Sequence, residues 1–577
     1  MTNFNNLPPR IVTRIFEYLF WTGVCGSDQA ERLVLPIGQY ELLACLKVSH
    51  AWRKRAAGLF YRTALVSVGT NASTNIRLIL ESGYAPKTTR LVLSIDTEPD
   101  KLAKHLLASE FVGFEWPSID TLYFYHPQSH VKQSSMDQDK AIDDVNQYLL
   151  ASMPNLEHIY ALSATCDSFG LYALDDLIND RMPYLKTLTA VAQGALKLGF
   201  HGQAQLLKQL TMHTVAHVLD CGELSASSDD EPNYSLQTHV TLSVPQVYAE
   251  SLVLLDIGPI VPTNIWAPFF GHNEQSNVPD LNTLPNFTCL RKLRLVFGVQ
   301  ASRSEEGRKT HRVSKHKNNP KPEDSGTYPL FPQLESLTVE RYPYNILLFL
   351  ENFPRGQLLH LELHKCSHHF FELSLSVFSK LQSACIDVPE APHASKDQNE
   401  ETWISRAFND HMPTLRSLSL RASIAHHVDL PSTYQLVHLQ HLDLSIGMRS
   451  VEIEKLLLEL KHLRSLRVTI TEVLSKTHEY LSRSMRPKKY TKNKYSRVLS
   501  TTLEQLIIRL DLAHGRQRRA LAKTAWVAAR VPSILTIHTQ QAYLNDLASC
   551  INNVRANKQA PVDARHLSNV RLHAVSL

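Results

Sequence analysis

Four soft or borderline donors fall within six residues at His364-x-Cys366-x-His368-His369, the most tempting metal cluster in the chain. Donors of these types suit zinc. Their spacing argues against convergence, because neighbouring side chains on a strand point to opposite faces, so adjacent His368 and His369 do not aim at one ion. His426-His427 and the other histidines, 28 in all, carry no ligand spacing. Acidic pairs such as Asp175-Asp176 and Asp229-Asp230 sit in polar stretches that suit solvent better than acid–base work. No G-x-S-x-G, H-E-x-x-H or phosphate-loop motif occurs. No residue is therefore assigned to catalysis, to a metal or to a cofactor, and the chain is not expected to be an enzyme.

What remains is a question of scaffold. The chain has 577 residues, 43% hydrophobic and 20% charged, which excludes a wholly disordered or collagen-like protein. At this length one compact core is not expected, so several domains or a repeat array is. A net charge of +5 is small for the length and argues against a dedicated nucleic-acid binder. Eight cysteines are scattered without any C-x-x-C, which fits reduced thiols in the cytosol or nucleus. No apolar run approaches the ~18 residues of a membrane span, and Met1–Asn6 lacks a signal-peptide profile. The expectation is a soluble protein of the cytoplasm, the nucleus or both.

Beyond residue 85 one phrase returns: an aliphatic residue, two variable ones, an aliphatic, one variable, an aliphatic. Good copies start at Leu290, Leu334, Leu358, Leu415, Leu439, Leu463 and Leu503, and weaker ones at Ile119, Leu156, Leu185, Leu207, Leu252, Leu381, Ile534 and Leu567. A proline often stands two residues upstream, as at Pro117, Pro154, Pro183, Pro332, Pro413 and Pro532. Steps of 23 or 24 residues, such as 358 to 381 and 415 to 439, resemble leucine-rich repeats, whose period is roughly 20–29 residues. Leu358, Leu361, Leu363 and Cys366 fit L-x-x-L-x-L-x-x-C, in which the cysteine of such repeats closes the strand. Each phrase predicts a short strand that buries its aliphatics only by stacking on neighbours. The fold class expected is α/β, a degenerate leucine-rich-repeat solenoid with a parallel concave sheet, and about fifteen strands would span roughly 70 Å. A doubly wound α/β enzyme would instead need a glycine-rich first turn, which is absent.

The residue between the last two aliphatics should point away from the core. These include Tyr123, Tyr160, Thr189, Arg294, Thr338, Glu362, Ser419, Asp443, Arg467, Ile507 and Arg571. Of these, Tyr160, Arg294, Glu362, Asp443, Arg467 and Arg571 are the candidates for contact with a target protein, since mixed charge and aromatics suit a polar protein partner. Insertions are expected near 222–235, 299–328, 389–401 and 483–498. The acidic 222–235 segment holds Ser225, Ser227 and Ser228 beside Asp229, Asp230 and Glu231, a sequence that phosphorylation would make more negative. The basic run Arg486–Lys494 is the better of two candidates for nuclear or nucleic-acid association.

The N-terminus reads differently. Ile11, Ile15 and Leu19 recur at helical spacing after Pro8 and Pro9, with Val12, Phe16 and Phe20 widening the stripe. Residues 21–40 read as a loop, and helical patterns resume from Glu41 and again through Val48, Trp52, Ala56 and Leu59. Two helices apolar over more than one face imply a partner surface.

Leu7-Pro8-x-x-Ile11-x-x-x-Ile15-Phe16-x-x-Leu19, followed by Leu42-x-x-x-Leu46-x-Val48-Ser49-x-x-Trp52-Arg53, resembles the F-box. Arg10 stands where that family often has an acidic residue, and the 21–40 segment is longer than usual. The resemblance implies a three-helix module over residues 1–65 and a repeat region over 66–577. It implies further that Leu7, Pro8, Ile11, Ile15, Phe16, Leu19, Leu46, Val48 and Trp52 face the Skp-type adaptor or pack the module. An F-box ahead of leucine-rich repeats is similar to the substrate receptors of SCF-type ubiquitin ligases, linked through the adaptor to a cullin. The alternative is a repeat scaffold that assembles with something else.

Overall fold

The computed structural model describes most of residues 45–69, 75–96, 114–126, 146–163, 175–198, 206–215, 240–242, 250–260, 287–297, 331–366, 374–388, 411–422, 435–471, 500–511, 521–556 and 570–574, with short stretches between 8 and 35. The chain divides into two compact units, residues 1–332 and 333–577. Among the described residues no helix is long and apolar enough to cross a membrane.

The first strands of the first unit are a two-residue antiparallel pair, β1 (Thr22–Gly23) and β2 (Val34–Leu35), inside the segment expected to be a loop. Helix α1 (His50–Phe60) follows, capped by the Ser49 hydroxyl, which accepts from the Trp52 amide at 3.2 Å. That contact gives the Ser-x-x-Trp spacing a local cause, since a serine at this position satisfies one of the orphan donors of the first turn. Then come β3 (Thr63–Gly69), α2 (Ile76–Glu81), β4 (Arg90–Asp96), β5 (Thr121–His126), β6 (His158–Ser163), α3 (Asp175–Arg181) and β7 (Thr187–Gln193). The unit closes with β8 (Leu196–Leu198), β9 (Gln209–Val215), β10 (Val240–Leu242), β11 (Leu254–Ile260) and β12 (Lys292–Phe297). Strands β3, β4, β5, β6, β7, β9, β11 and β12 pair in that order, all parallel, and β8 pairs with β10 apart from them.

The second unit carries β13 (Ser336–Glu340), β14 (His360–His364), β15 (Ser383–Val388), β16 (Ser417–Ala422), β17 (His441–Met448), α4 (Ser450–Glu459) and β18 (Ser465–Thr471). It ends with β19 (Gln505–Asp511), β20 (Leu535–Thr539), α5 (Leu544–Ala556) and β21 (Val570–Ala574). These nine strands also pair in sequence order and in parallel. Both units are thus repeat-like parallel sheets with few helices among the described residues.

The aliphatic phrase is the cause. In most copies the strand opens two residues after the first aliphatic, as Ser417 follows Leu415 and His441 follows Leu439. The later aliphatics then stack in register: Leu418 on Leu442, Leu442 on Leu466 and Leu466 on Leu506, all buried. The upstream prolines 117, 154, 183, 332 and 413 occupy the turns before their strands. Adjacent turns are tied through single carbonyls; Arg416 O accepts from the amides of both Gln440 and His441, and Gln440 O from those of Arg464 and Ser465. Threonine side chains add to this, with Thr414 Oγ1 donating to Leu381 O at 2.8 Å and Thr502 Oγ1 to Leu463 O at 2.9 Å.

Within the two long parallel ladders, two strands lack the phrase. Strands β3 and β4 bury Ala64, Val66, Leu91 and Leu93 in the same alternating pattern. Buried Asn75 secures the first of them, its side chain accepting from Leu65 N at 2.7 Å and donating to Thr63 O at 2.9 Å. Strand β3 spans the boundary expected at residue 65. The insertions expected at 222–235, 299–328, 389–401 and 483–498, and the basic run Arg486–Lys494, lie outside the described residues.

Candidate functional site

Side chains that alternate with the buried leucines line the opposite face of each sheet, and the registers decide which of them meet. In the first unit one row runs Leu65, Val92, Tyr123, Tyr160, Thr189, Thr211, Asp256, Arg294. Tyr160 is half-buried and stacks on Tyr123, ring centroids 4.8 Å apart and planes 11° from parallel. With Val92 and Val191 they form a second apolar cluster, distinct from the leucine core. Burial pushes the Tyr123 hydroxyl up to about 12, so it stays protonated.

At the far end of that row Asp256 lies between His213 and Arg294. His213 Nε2 meets Asp256 Oδ1 at 2.8 Å, and Arg294 Nη1 stands 3.4 Å from Asp256 Oδ2. Arg294 was expected to be available to a target; it is instead mostly buried and committed to this carboxylate. The group sits beside a bulge, where the β11–β12 register shifts between Ile257 and Ile260. Gly258 in that bulge lies so close to β12 that an added Cβ would stand 2.3 Å from Val296 Cβ. A Gly-Pro pair inside an apolar strand pattern is the sequence signal for such a site.

In the second unit the matching row runs Thr338, Glu362, Cys385, Ser419, Asp443, Arg467, Ile507, His538, His573. Asp443 is held between two arginines, Arg421 Nη2 and Arg467 Nη1, each 3.6 Å from its Oδ2. Both arginines are nearly half exposed, so the pair offers cationic edges while Asp443 itself is largely covered. Arg571 is exposed but does not share this row; it pairs with Thr536, one row over, and His573 takes the expected place. The cause is a register offset: Leu535, one residue past Ile534, pairs with Val570, three residues past Leu567.

A four-residue square occupies β14 and β15. Glu362 lies opposite Cys385 in register, and His364 and Asp387 stand one step further along the same face. His364 Nδ1 meets Asp387 Oδ2 at 2.7 Å, its Nε2 lies 3.5 Å from Glu362 Oε2, and Thr338 Oγ1 donates to that same oxygen at 3.2 Å. Burial pushes the imidazole down, but hydrogen bonds to Asp387 and Glu362 and the charges of Asp387 and Glu340 outweigh it, lifting His364 to about 9. Burial also pushes the Cys385 thiol up. One donor atom each from His364, Cys385 and Asp387 lies within 4.8 Å of the others. Cys366, the other half of the local motif, goes elsewhere. Lys365 takes a left-handed φ of 52°, turning the chain so that Cys366 is buried and its Sγ donates to Val339 O at 3.5 Å. The cysteine closes the strand as expected; His368 and His369 lie outside the described residues.

The N-terminal candidates are described in part. Arg10–Val12, Arg14, Ile15, Cys45 and Leu46 are helical, but of the three expected helices only α1 lies wholly within the described residues. Leu7, Phe16 and Leu19 lie outside them. Val12, Cys45, Ala56 and Phe60 form a small buried cluster, with Leu46 and Trp52 packed against it. Trp52 is thus a half-buried flank of that cluster, whereas Phe60 is one of its buried members. Pro8 is exposed, Ile15 half-buried, and Ile11 and Val48 remain 46% and 61% exposed. No protein-family model matches this sequence, and comparison with curated proteins gives no match.

Proposed function

We propose that this chain is the substrate-recognition subunit of an SCF-type ubiquitin ligase. On this reading residues 1 to about 62 form a three-helix F-box that docks on a Skp-type adaptor and through it a cullin. The repeat region, leucine-rich in type, holds a target protein on its polar face. The observation that carries the reading is the pairing of a small N-terminal core with two exposed aliphatics, Ile11 and Val48, on segments that match the F-box pattern. On this reading the adaptor covers both aliphatics when it docks. Arg421, Asp443 and Arg467 supply the charged part of the target face of the second unit, with Glu362 on the same sheet face. The chain's contribution is proximity and orientation of the target, with no catalytic group of its own.

The test uses the full-length chain and a purified Skp-type adaptor. Wild type should capture the adaptor, and an Ile11→Asp, Val48→Asp double variant should lose it at least tenfold with unchanged thermal stability. Equal capture by wild type and variant would remove these residues from the docking surface. No capture by wild type would make the chain a repeat scaffold that uses its N-terminal face for another partner.

A further inference from the structure

Two parallel strands in register place every second side chain beside its neighbour on the same face, at a strand spacing of ~4.8 Å. On most of the second unit's polar face this brings hydroxyls, arginines and single carboxylates together. At β14–β15 it brings an imidazole, a thiol and two carboxylates together instead. An imidazolium held by carboxylates would need no thiol; the sulfur is what sets this group apart.

The donor set selects among cations. Calcium and magnesium take oxygen donors in sixes or more, which this face does not offer. A mixed nitrogen, sulfur and oxygen set in fours is zinc chemistry. A four-coordinate zinc with bonds of about 2.0–2.3 Å needs donors roughly 3.3–3.8 Å apart. Donors already within 4.8 Å of one another reach that by side-chain rotation alone, on a backbone fixed by the β14–β15 ladder. A second observation points the same way. Asp387 Oδ1 is out of reach of solvent and has no hydrogen-bond partner among the described residues, although Oδ2 of the same carboxylate is bonded to His364. A shielded carboxylate oxygen without a donor is costly unless a cation meets it. The left-handed turn at Lys365 ends β14 immediately after His364 and anchors Cys366 inward, so the ring is held at the edge of the square.

We propose that His364, Cys385 and Asp387, with a water as the fourth ligand, bind a zinc-class divalent cation on the polar face of the second unit. The inference is independent of adaptor docking. On binding, the Cys385 thiol gives its proton to solvent and the thiolate sulfur joins the metal.

Cobalt reports this directly, because a cobalt–thiolate bond absorbs through ligand-to-metal charge transfer. Full-length protein is stripped with chelator, exchanged into chelator-free buffer and titrated with Co2+. The expected result is a charge-transfer band that Zn2+ abolishes, that Cys366→Ser retains and that Cys385→Ser loses. Asp387→Asn should weaken Co2+ binding at least tenfold while keeping the thiol, which reads the site even if Cys385→Ser unfolds. Absence of the band in wild type, its persistence in a folded Cys385→Ser variant, or unchanged affinity in Asp387→Asn would each overturn the proposal.

Discussion

His364 Nδ1 and Asp387 Oδ2 lie 2.7 Å apart, joining the ends of two parallel strands that are 23 residues apart in sequence. Without metal the contact is an imidazolium–carboxylate pair, and it has a pH signature. The folded-state value, about 9, lies above the ordinary 6.5. The stabilisation is therefore fully present below about pH 6.5 and is lost as pH rises through about 9. It amounts to no more than about 3 kcal/mol, at 1.36 kcal/mol per pH unit, and less in practice because the ring keeps some solvent contact. Denaturant unfolding of wild type and His364→Gln, with chelator present, should show a stability difference at pH 6 that shrinks by pH 9.5. A difference that is constant with pH would count against the assignment.

Leu466 sits in register between Leu442 and Leu506 and is fully buried. Leu466→Ala should cost about 2–5 kcal/mol, the removed contacts plus the cavity left between two packed strands. Exposed Leu206 provides the contrast, and Leu206→Ala should stay within about 0.5 kcal/mol. Denaturation followed by circular dichroism distinguishes the two.

In the N-terminal cluster the ordering of aromatic truncations is informative. Phe60 is fully buried, and Phe60→Ala should cost about 3–5 kcal/mol. Trp52 only flanks the cluster, so Trp52→Ala should cost less, about 1–3 kcal/mol. A reversed order in thermal melts would mean that this core depends on Trp52 more than on Phe60.

Gly258→Ala should be destabilising by at least about 2 kcal/mol, since its Cβ would overlap Val296 Cβ and stand 2.9 Å from Val296 O. Val296→Ala should not rescue it, because alanine keeps the offending Cβ and the carbonyl is backbone. A stable double variant would show that the bulge relaxes without cost.

The strands were legible because their cause is local. An aliphatic pattern with a proline two residues upstream names the buried side of a strand, and stacking such patterns leaves few arrangements other than a parallel ladder. Ala64 and Val66 of β3 escaped notice because small side chains fill the same positions without leucine's signature. The Arg571 register slipped although Val570 and Leu572 stand at the usual distances from Leu567, because β20 and β21 pair two residues out of phase with the phrase.

The sequence by itself determined which residues turn inward, that Cys366 closes its strand, and that a polar face of mixed charge lies opposite the leucines. Only the tertiary structure decided which polar residues meet. Lateral neighbours on a parallel sheet are a whole repeat apart, and insertions make that distance vary from 22 residues to 45. No local spacing could therefore announce that His364 would leave Cys366 for Asp387 and Cys385, or that Arg294 would be taken up by Asp256. The face each side chain takes is written in the strand's alternation, whereas adjacency is set by how the long connections close.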